Sequence, residues 1–141
     1  MNLSTAKTML RYAKQYVDLG QLRVVQTKED WIYLINEQAI GVALYETEDE
    51  KDWNRWMSNY IEEEFNFDIA PEHMEIFSLF HELGHHIVGN ICTDEEYYML
   101  YQQIGPNDDY AYRQIPDERE ADKWAISFLK EHMNDLLELY K

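Results

Sequence analysis

The sequence predicts an α+β domain, with a small antiparallel three-stranded sheet packed against several helices, on the strength of three observations. Three short β-rich runs lie close together between residues 22 and 45. Apolar residues recur at helical spacing before them and again through the C-terminal two thirds of the chain. The length of 141 residues fits one compact domain, 1–141, with a single core. The four Trp and eleven Tyr argue for a packed interior despite the charge.

Taken in order, Ser4 is placed to cap a first helix running to about Leu19, with Ala6, Met9, Leu10, Ala13, Tyr16 and Val17 on its apolar face and Gly20 as its stop. The β-rich runs are Leu22 to Thr27, Trp31 to Ile35 and Ile40 to Tyr45. Lys28-Glu29-Asp30 and Asn36-Glu37-Gln38 separate them with turn-like composition, which reads as an antiparallel meander. The acidic run Glu46 to Asp52 reads as a solvated loop or helix start. It leads into a helix with Trp53, Trp56, Met57, Tyr60 and Ile61 at helical spacing. Glu62-Glu63-Glu64 point in different directions around that helix and read as solvated.

Pro71 suits the first turn of a helix that ends near Val88, stopped by Gly89, with Ile76, Leu79, Leu83 and Ile87 along its packed back. Thr93 followed by Glu96 is a capping-box signature for a short helix to about Gln103, which Gly105-Pro106-Asn107 breaks. The last helix begins near Asp117 after Pro116 and continues through Phe128 and Leu129, with a candidate break at Asn134.

The net charge of −16 repels phosphate backbones and anionic headgroups, so neither nucleic acid nor a membrane surface is the expected partner. A basic or neutral protein is easier to accommodate. No apolar run is long enough to span a bilayer, and Met1 to Leu10 lacks the apolar core of a signal peptide. The single cysteine, Cys92, excludes an intrachain disulfide framework and reads as a packing residue in a reducing compartment. The expectation is a cytoplasmic protein.

The chemistry is concentrated in His81-Glu82-Leu83-Gly84-His85. Histidines four apart on a helix sit about 40° apart in projection, so His81 and His85 can present their rings to one tetrahedral ion. Glu82 falls on the far flank of His85 from His81. There a carboxylate can reach a water on the metal without being a ligand, which is the placement of a general base. Gly84 has no side chain and leaves room for another backbone beside the site.

A third ligand is sought in Asp117 to Ala125. If this segment is helical, Glu118, Ala121, Asp122, Ala125, Leu129 and His132 share one side, with Phe128 at its edge, while Glu120 points away. A carboxylate entering a core needs a partner, and a metal held by two histidines is one. Glu118 is therefore the candidate ligand, with Glu120 its competitor. Asp122, one turn on, can accept the second ring N–H of a ligand histidine. Asp117 and Glu120 suit an exposed acidic first turn. His86 points about 100° from His85 around the helix and reads as a supporting or surface residue. His73 reads as solvated and His132 as packing. Tyr110, Tyr112 and Arg113 precede the Glu118 helix and are the candidates for stabilising an oxyanion, with aromatic packing as the plain alternative.

The pairing of His81-Glu82-Leu83-Gly84-His85 with Glu118-Arg119-Glu120-Ala121-Asp122-Lys123-Trp124-Ala125 resembles the ImmA/IrrE family of zinc metallopeptidases. That family combines a HELGH helix with a later E-x-x-A-N/D-x-F-A helix, and Trp124 stands here where Phe is usual. The resemblance covers roughly Ile69 to Leu129. It implies zinc on His81, His85 and Glu118, Glu82 as base, and a zincin-like α+β fold with a small antiparallel sheet beside the active-site helices. Members are often encoded by phages and mobile elements, and some cleave or inactivate a repressor. This chain departs in showing no DNA-binding or sensor segment and in lacking the small apolar run ending in proline after Phe128-Leu129.

The function expected is that of a zinc-dependent metalloendopeptidase hydrolysing a peptide bond in a protein substrate, such as a repressor or other regulator in a phage or mobile-element setting. A His/His/Glu set with an open position favours zinc over manganese or iron. The alternative is a non-catalytic, zinc-stabilised module that sequesters a protein partner.

Overall fold

The computed structural model describes residues 1–140. Asn2, not Ser4, caps the first helix: its side-chain oxygen accepts the Thr5 N–H at 2.8 Å, and α1 spans Leu3–Ala13. The helix stops short of the expected end near Leu19. Turns at Gln15 to Val17 bend the chain so that Leu19 enters the core, and Gly20 follows at φ +58°, a conformation that favours glycine.

Three strands follow, β1 (Arg23–Thr27), β2 (Ile32–Leu34) and β3 (Ala39–Ala43). They form a mixed sheet of order β1-β3-β2, with β1 parallel and β2 antiparallel to β3. The expected antiparallel meander, with the middle run in the middle of the sheet, is corrected here. The reason is apolarity: every residue of β3 is buried, whereas β2 is exposed or half-buried, and a strand covered on both faces takes the centre. Gly41 suits that centre. A Cβ there would lie 2.8 Å from both Ile32 Cγ2 and Thr27 Cγ2.

The acidic run after the sheet is helical from Glu48. Thr47 accepts the Glu50 N–H at 3.1 Å and caps α2 (Glu48–Phe65), whose acidic first turn complements the helix dipole. A 3-10 turn at Pro71–His73 opens α3 (Met74–Val88), and Gly89 at φ +78° ends it. Met74, Ile76, Phe77, Leu79, Phe80 and Leu83 of α3 are buried. The capping box at Thr93 and Glu96 starts α4 (Asp94–Gln102), which buries no side chain. A short α5 (Asp109–Arg113), capped by Asp108, lies between the Gly105-Pro106-Asn107 break and the last helix, where the sequence reading placed no helix.

Finally, α6 (Pro116–Tyr140) runs unbroken past Asn134, because Leu136 beyond it is buried in the core and holds the last turns down. One hydrophobic cluster extends from α1 through β1 and β3 to α2, α3 and α6. Beside it α3 and α6 run backbone against backbone at Gly84 and Ala121. A Cβ on Gly84 would lie 2.7 Å from the Ala121 carbonyl oxygen, so the absence of a side chain lets α6 pass directly over α3. Phe80 stacks on Phe128 farther along the same seam, with ring centroids 5.0 Å apart. Among the described residues no helix is long and apolar enough to cross a membrane.

Candidate metal centre

The α3–α6 seam carries the site. Helical spacing on α3 puts His81 and His85 on the face turned toward the start of α6, where Glu118 points back at them. His81 Nε2 lies 3.1 Å from His85 Nε2 and 3.2 Å from Glu118 Oε1, and His85 Nε2 lies 3.3 Å from the same oxygen. His81 and Glu118 are buried and His85 is half-buried. These three residues form a group with the donor set to hold a metal ion.

The second ring nitrogen of His81 fixes its direction. His81 Nδ1 lies 2.7 Å from Asp122 Oδ1, on a carboxylate with no solvent exposure. A carboxylate accepts, so Nδ1 carries the hydrogen and Nε2 turns a lone pair toward Glu118. Two acceptors facing each other at 3.2 Å are unfavourable unless a cation or an added proton lies between them. Burial and the Arg113 charge push the His81 pKa down, but hydrogen bonds to Asp122 and Glu118 outweigh them and raise it to about 9. For Glu118, burial pushes upward, yet the two histidines hold its carboxyl far below the usual carboxylate range.

Arg113 completes the buried support. Its Nε donates to Asp122 Oδ2 at 3.0 Å, and its Nη2 pairs with Oδ1. Arg113 Nη2 also lies 3.2 Å from His81 Nδ1, but both atoms are donors and share Oδ1 rather than bonding each other. Burial works to raise the Asp122 pKa, and Arg113 and His81 override it, so Asp122 is ionised. Two phenols meet the Glu118 carboxylate. Tyr112 donates to Oε1 at 3.1 Å and Tyr97 to Oε2 at 3.3 Å. Burial pushes Tyr97 up to about 12 and raises Tyr112 further, with the Glu118 charge adding to the burial of Tyr112.

Glu82 is half-buried, and its carboxylate makes no hydrogen bond or ion pair among the described residues. It borders two clefts. One, of about 280 Å³, is walled by Trp31 and Trp53 and carries the carboxylates Glu29, Glu46 and Glu50. The other, of about 450 Å³, runs past Ile32, Tyr33 and Ile35 toward Asn90 and Cys92. Trp31, Glu82, Tyr112 and Glu118 line both, so the clefts meet at the histidine–carboxylate group.

The other candidates lie elsewhere. Glu120 pairs with Lys123 at 3.1 Å with its side chain 42% exposed, which removes it from the ligand set. His86 bridges Tyr33 Oη at 2.8 Å and the Leu19 carbonyl at 3.0 Å. His132 packs on Phe128 and meets Tyr12 Oη at 2.9 Å. His73 is half-buried with its ring edge toward Tyr140, less solvated than expected. Glu62 and Glu63 are exposed, and Glu64 meets Arg119 at 3.4 Å. Cys92 is half-buried.

Asp117 departs from its expected exposed role. It is 7% exposed and accepts the Ile91 N–H at 3.1 Å and the Cys92 N–H at 2.9 Å, tying the turn after α3 to the start of α6. Nothing in its local sequence distinguishes that task from a solvated helix start. Tyr97 was also missed, since its position on α4 acquires meaning only from its contact with Glu118.

The fold and site therefore define an α+β protein with a buried His-His-Glu group suited to a metal. No protein-family model, no curated protein and no solved structure matches the chain.

Proposed function

We propose that this protein is a zinc-dependent metalloendopeptidase acting on a protein substrate, a regulator of the kind cleaved by the ImmA/IrrE peptidases its motifs resemble. The observation that carries the reading is the convergence of His81 Nε2, His85 Nε2 and Glu118 Oε1 at separations of 3.1 to 3.3 Å. A tetrahedral site with ligand bonds of about 2.0 Å has edges of about 3.3 Å, which suits zinc. Two histidines and one carboxylate with an open fourth position are also the usual set of a catalytic rather than a structural zinc. When bound, the ion supplies Lewis acidity, polarising a carbonyl and acidifying water.

The protein's residues do the rest. Glu82 has no competing partner among the described residues, so it can take a proton from water and hand it to the leaving amine nitrogen as the C–N bond breaks. Asp122 keeps His81 in one tautomer, and Arg113 keeps Asp122 ionised and in place. The two clefts give an extended peptide room on either side of the scissile bond. The carboxylates of the first favour substrate segments bearing Lys or Arg.

The test is zinc stoichiometry together with proteolysis by wild type and Glu82→Gln, read by mass-spectrometric comparison of cleaved proteins. One zinc per chain and loss of cleavage in the variant are expected. A protein without metal, or a variant that cleaves like wild type, overturns the mechanism. Zinc with partner binding that survives Glu82→Gln and no cleavage would instead identify a zinc-stabilised module that sequesters its partner.

A further inference from the structure

We propose that the Tyr112 hydroxyl is a catalytic residue, the hydrogen-bond donor to the substrate's carbonyl oxygen as that oxygen takes on charge; this rests on the peptidase reading above. Hydrolysis needs such a donor. As the water oxygen adds to the carbonyl carbon, the C=O π pair moves onto the carbonyl oxygen, and a fixed donor there lowers the barrier. Glu82 takes the water's proton and delivers it to the amide nitrogen, and the electrons of the breaking C–N bond leave with that nitrogen. The phenol keeps its own proton throughout.

Four groups stand near enough to be considered, and the geometry separates them. Arg113 lines only the first cleft, is 5% exposed and has its Nε and Nη2 committed to Asp122. Tyr110 is 52% exposed, and its ring meets the edge of Tyr60 at 6.0 Å, outside both clefts. Tyr97 lines only the second cleft. Tyr112 lines both, as Glu82 does, and its hydroxyl is 3.1 Å from the Glu118 oxygen that faces the two histidines. Base and phenol thus border the one place where the clefts meet.

Tyr112 is also held and releasable. The next residue, Arg113, anchors α5 to α6 through Asp122, which fixes where the phenol projects. A phenol has one hydrogen to give, and without substrate it goes to Glu118 Oε1. When it turns to a carbonyl oxygen, Tyr97 still donates to the other Glu118 oxygen, so the carboxylate is not left without support.

The experiment compares zinc-loaded wild type, Tyr112→Phe and Tyr110→Phe on heat-denatured casein, with zinc affinity measured by chelator competition and acetohydroxamate binding by calorimetry. Tyr112→Phe is expected to lower kcat by about 10²- to 10³-fold with KM and zinc affinity unchanged. Its acetohydroxamate affinity should fall by about tenfold, the loss of one hydrogen bond to the probe's carbonyl oxygen. Tyr110→Phe should match wild type in all three readouts. A Tyr112→Phe protein that cleaves casein as fast as wild type, or that loses zinc in proportion to activity, overturns the proposal. If wild type cleaves no casein, unchanged acetohydroxamate affinity in Tyr112→Phe still overturns it, while a weakened one supports it. A wild-type protein that binds no zinc overturns this proposal and the peptidase reading together.

Discussion

Asp122, with no solvent exposure, accepts the His81 Nδ1–H at 2.7 Å while Arg113 holds the same carboxylate from the other side. The three residues come from α3, α5 and α6, so one buried carboxylate joins the site to the core. Asp122→Ala leaves the Arg113 charge buried and unpaired, which should cost about 3–5 kcal/mol of stability. Asp122→Asn keeps the volume and should show its larger effect on metal, a loss of about 10- to 100-fold in zinc affinity. Urea unfolding and chelator competition on the two variants separate these effects.

Metal should stabilise the folded chain through Glu118. At a free zinc concentration 100 times the Kd, linkage adds about 2.7 kcal/mol, provided the unfolded chain binds no zinc. Thermal melts with and without a chelator should therefore differ for wild type. In Glu118→Ala the melting temperature should no longer respond to zinc, and an undiminished response would place the ion elsewhere.

Gly84→Ala tests the helix crossing. The new Cβ would meet the Ala121 backbone 2.7 Å away, and backbone cannot swing aside as a side chain can. Overpacking of this kind costs about 1–3 kcal/mol. Because α6 must shift to relieve it, zinc affinity should fall along with the melting temperature. A variant with wild-type stability and affinity would show that the two helices are not in close contact at this point.

Alkaline pH should loosen the far end of α6. Tyr140 donates to Glu75 Oε1, with the Met1 amine on the same carboxylate and the His73 ring beside the phenol. Burial and the Glu75 carboxylate raise the Tyr140 pKa above its ordinary value. The unfolded phenol, at about pKa 10, gives up its proton first, so the contribution of Tyr140 is complete below pH 10 and is lost as pH rises toward the folded value. Urea midpoints from pH 8 to pH 11 should show wild type exceeding Tyr140→Phe at the low end, with the gap narrowing above pH 10. A constant gap would mean that Tyr140 titrates alike in both states.

The parts of this protein that were legible in its sequence are those governed by a local period. At about 100° per residue, Glu118 falls on the same side as Ala121, Asp122, Ala125 and Leu129, and Glu120 falls opposite, so one angle separated the carboxylate at the histidines from its competitor. The caps at Thr93 and the stop at Gly89 were readable for the same reason. What stayed hidden depends on partners distant in the chain. Strand order followed from which strand is covered on both faces, and the roles of Asp117 and Tyr97 followed from backbone and side-chain atoms more than 20 residues away. Asn2 displaced Ser4 as the first cap because either residue type can serve and only the bend of the chain decides between them.

Between His85 and Glu118 the chain leaves the core, and α4 within that stretch buries none of its side chains. Tyr98, Met99 and Tyr101 on it are exposed. Substitution there costs little stability, since surface changes away from packing usually lie within about 0.5 kcal/mol. A lineage can therefore rewrite the exposed side of that helix to suit a different protein surface while Tyr97 keeps its bond to Glu118 and the histidines, held by the packing of α3 on α6, stay where they are.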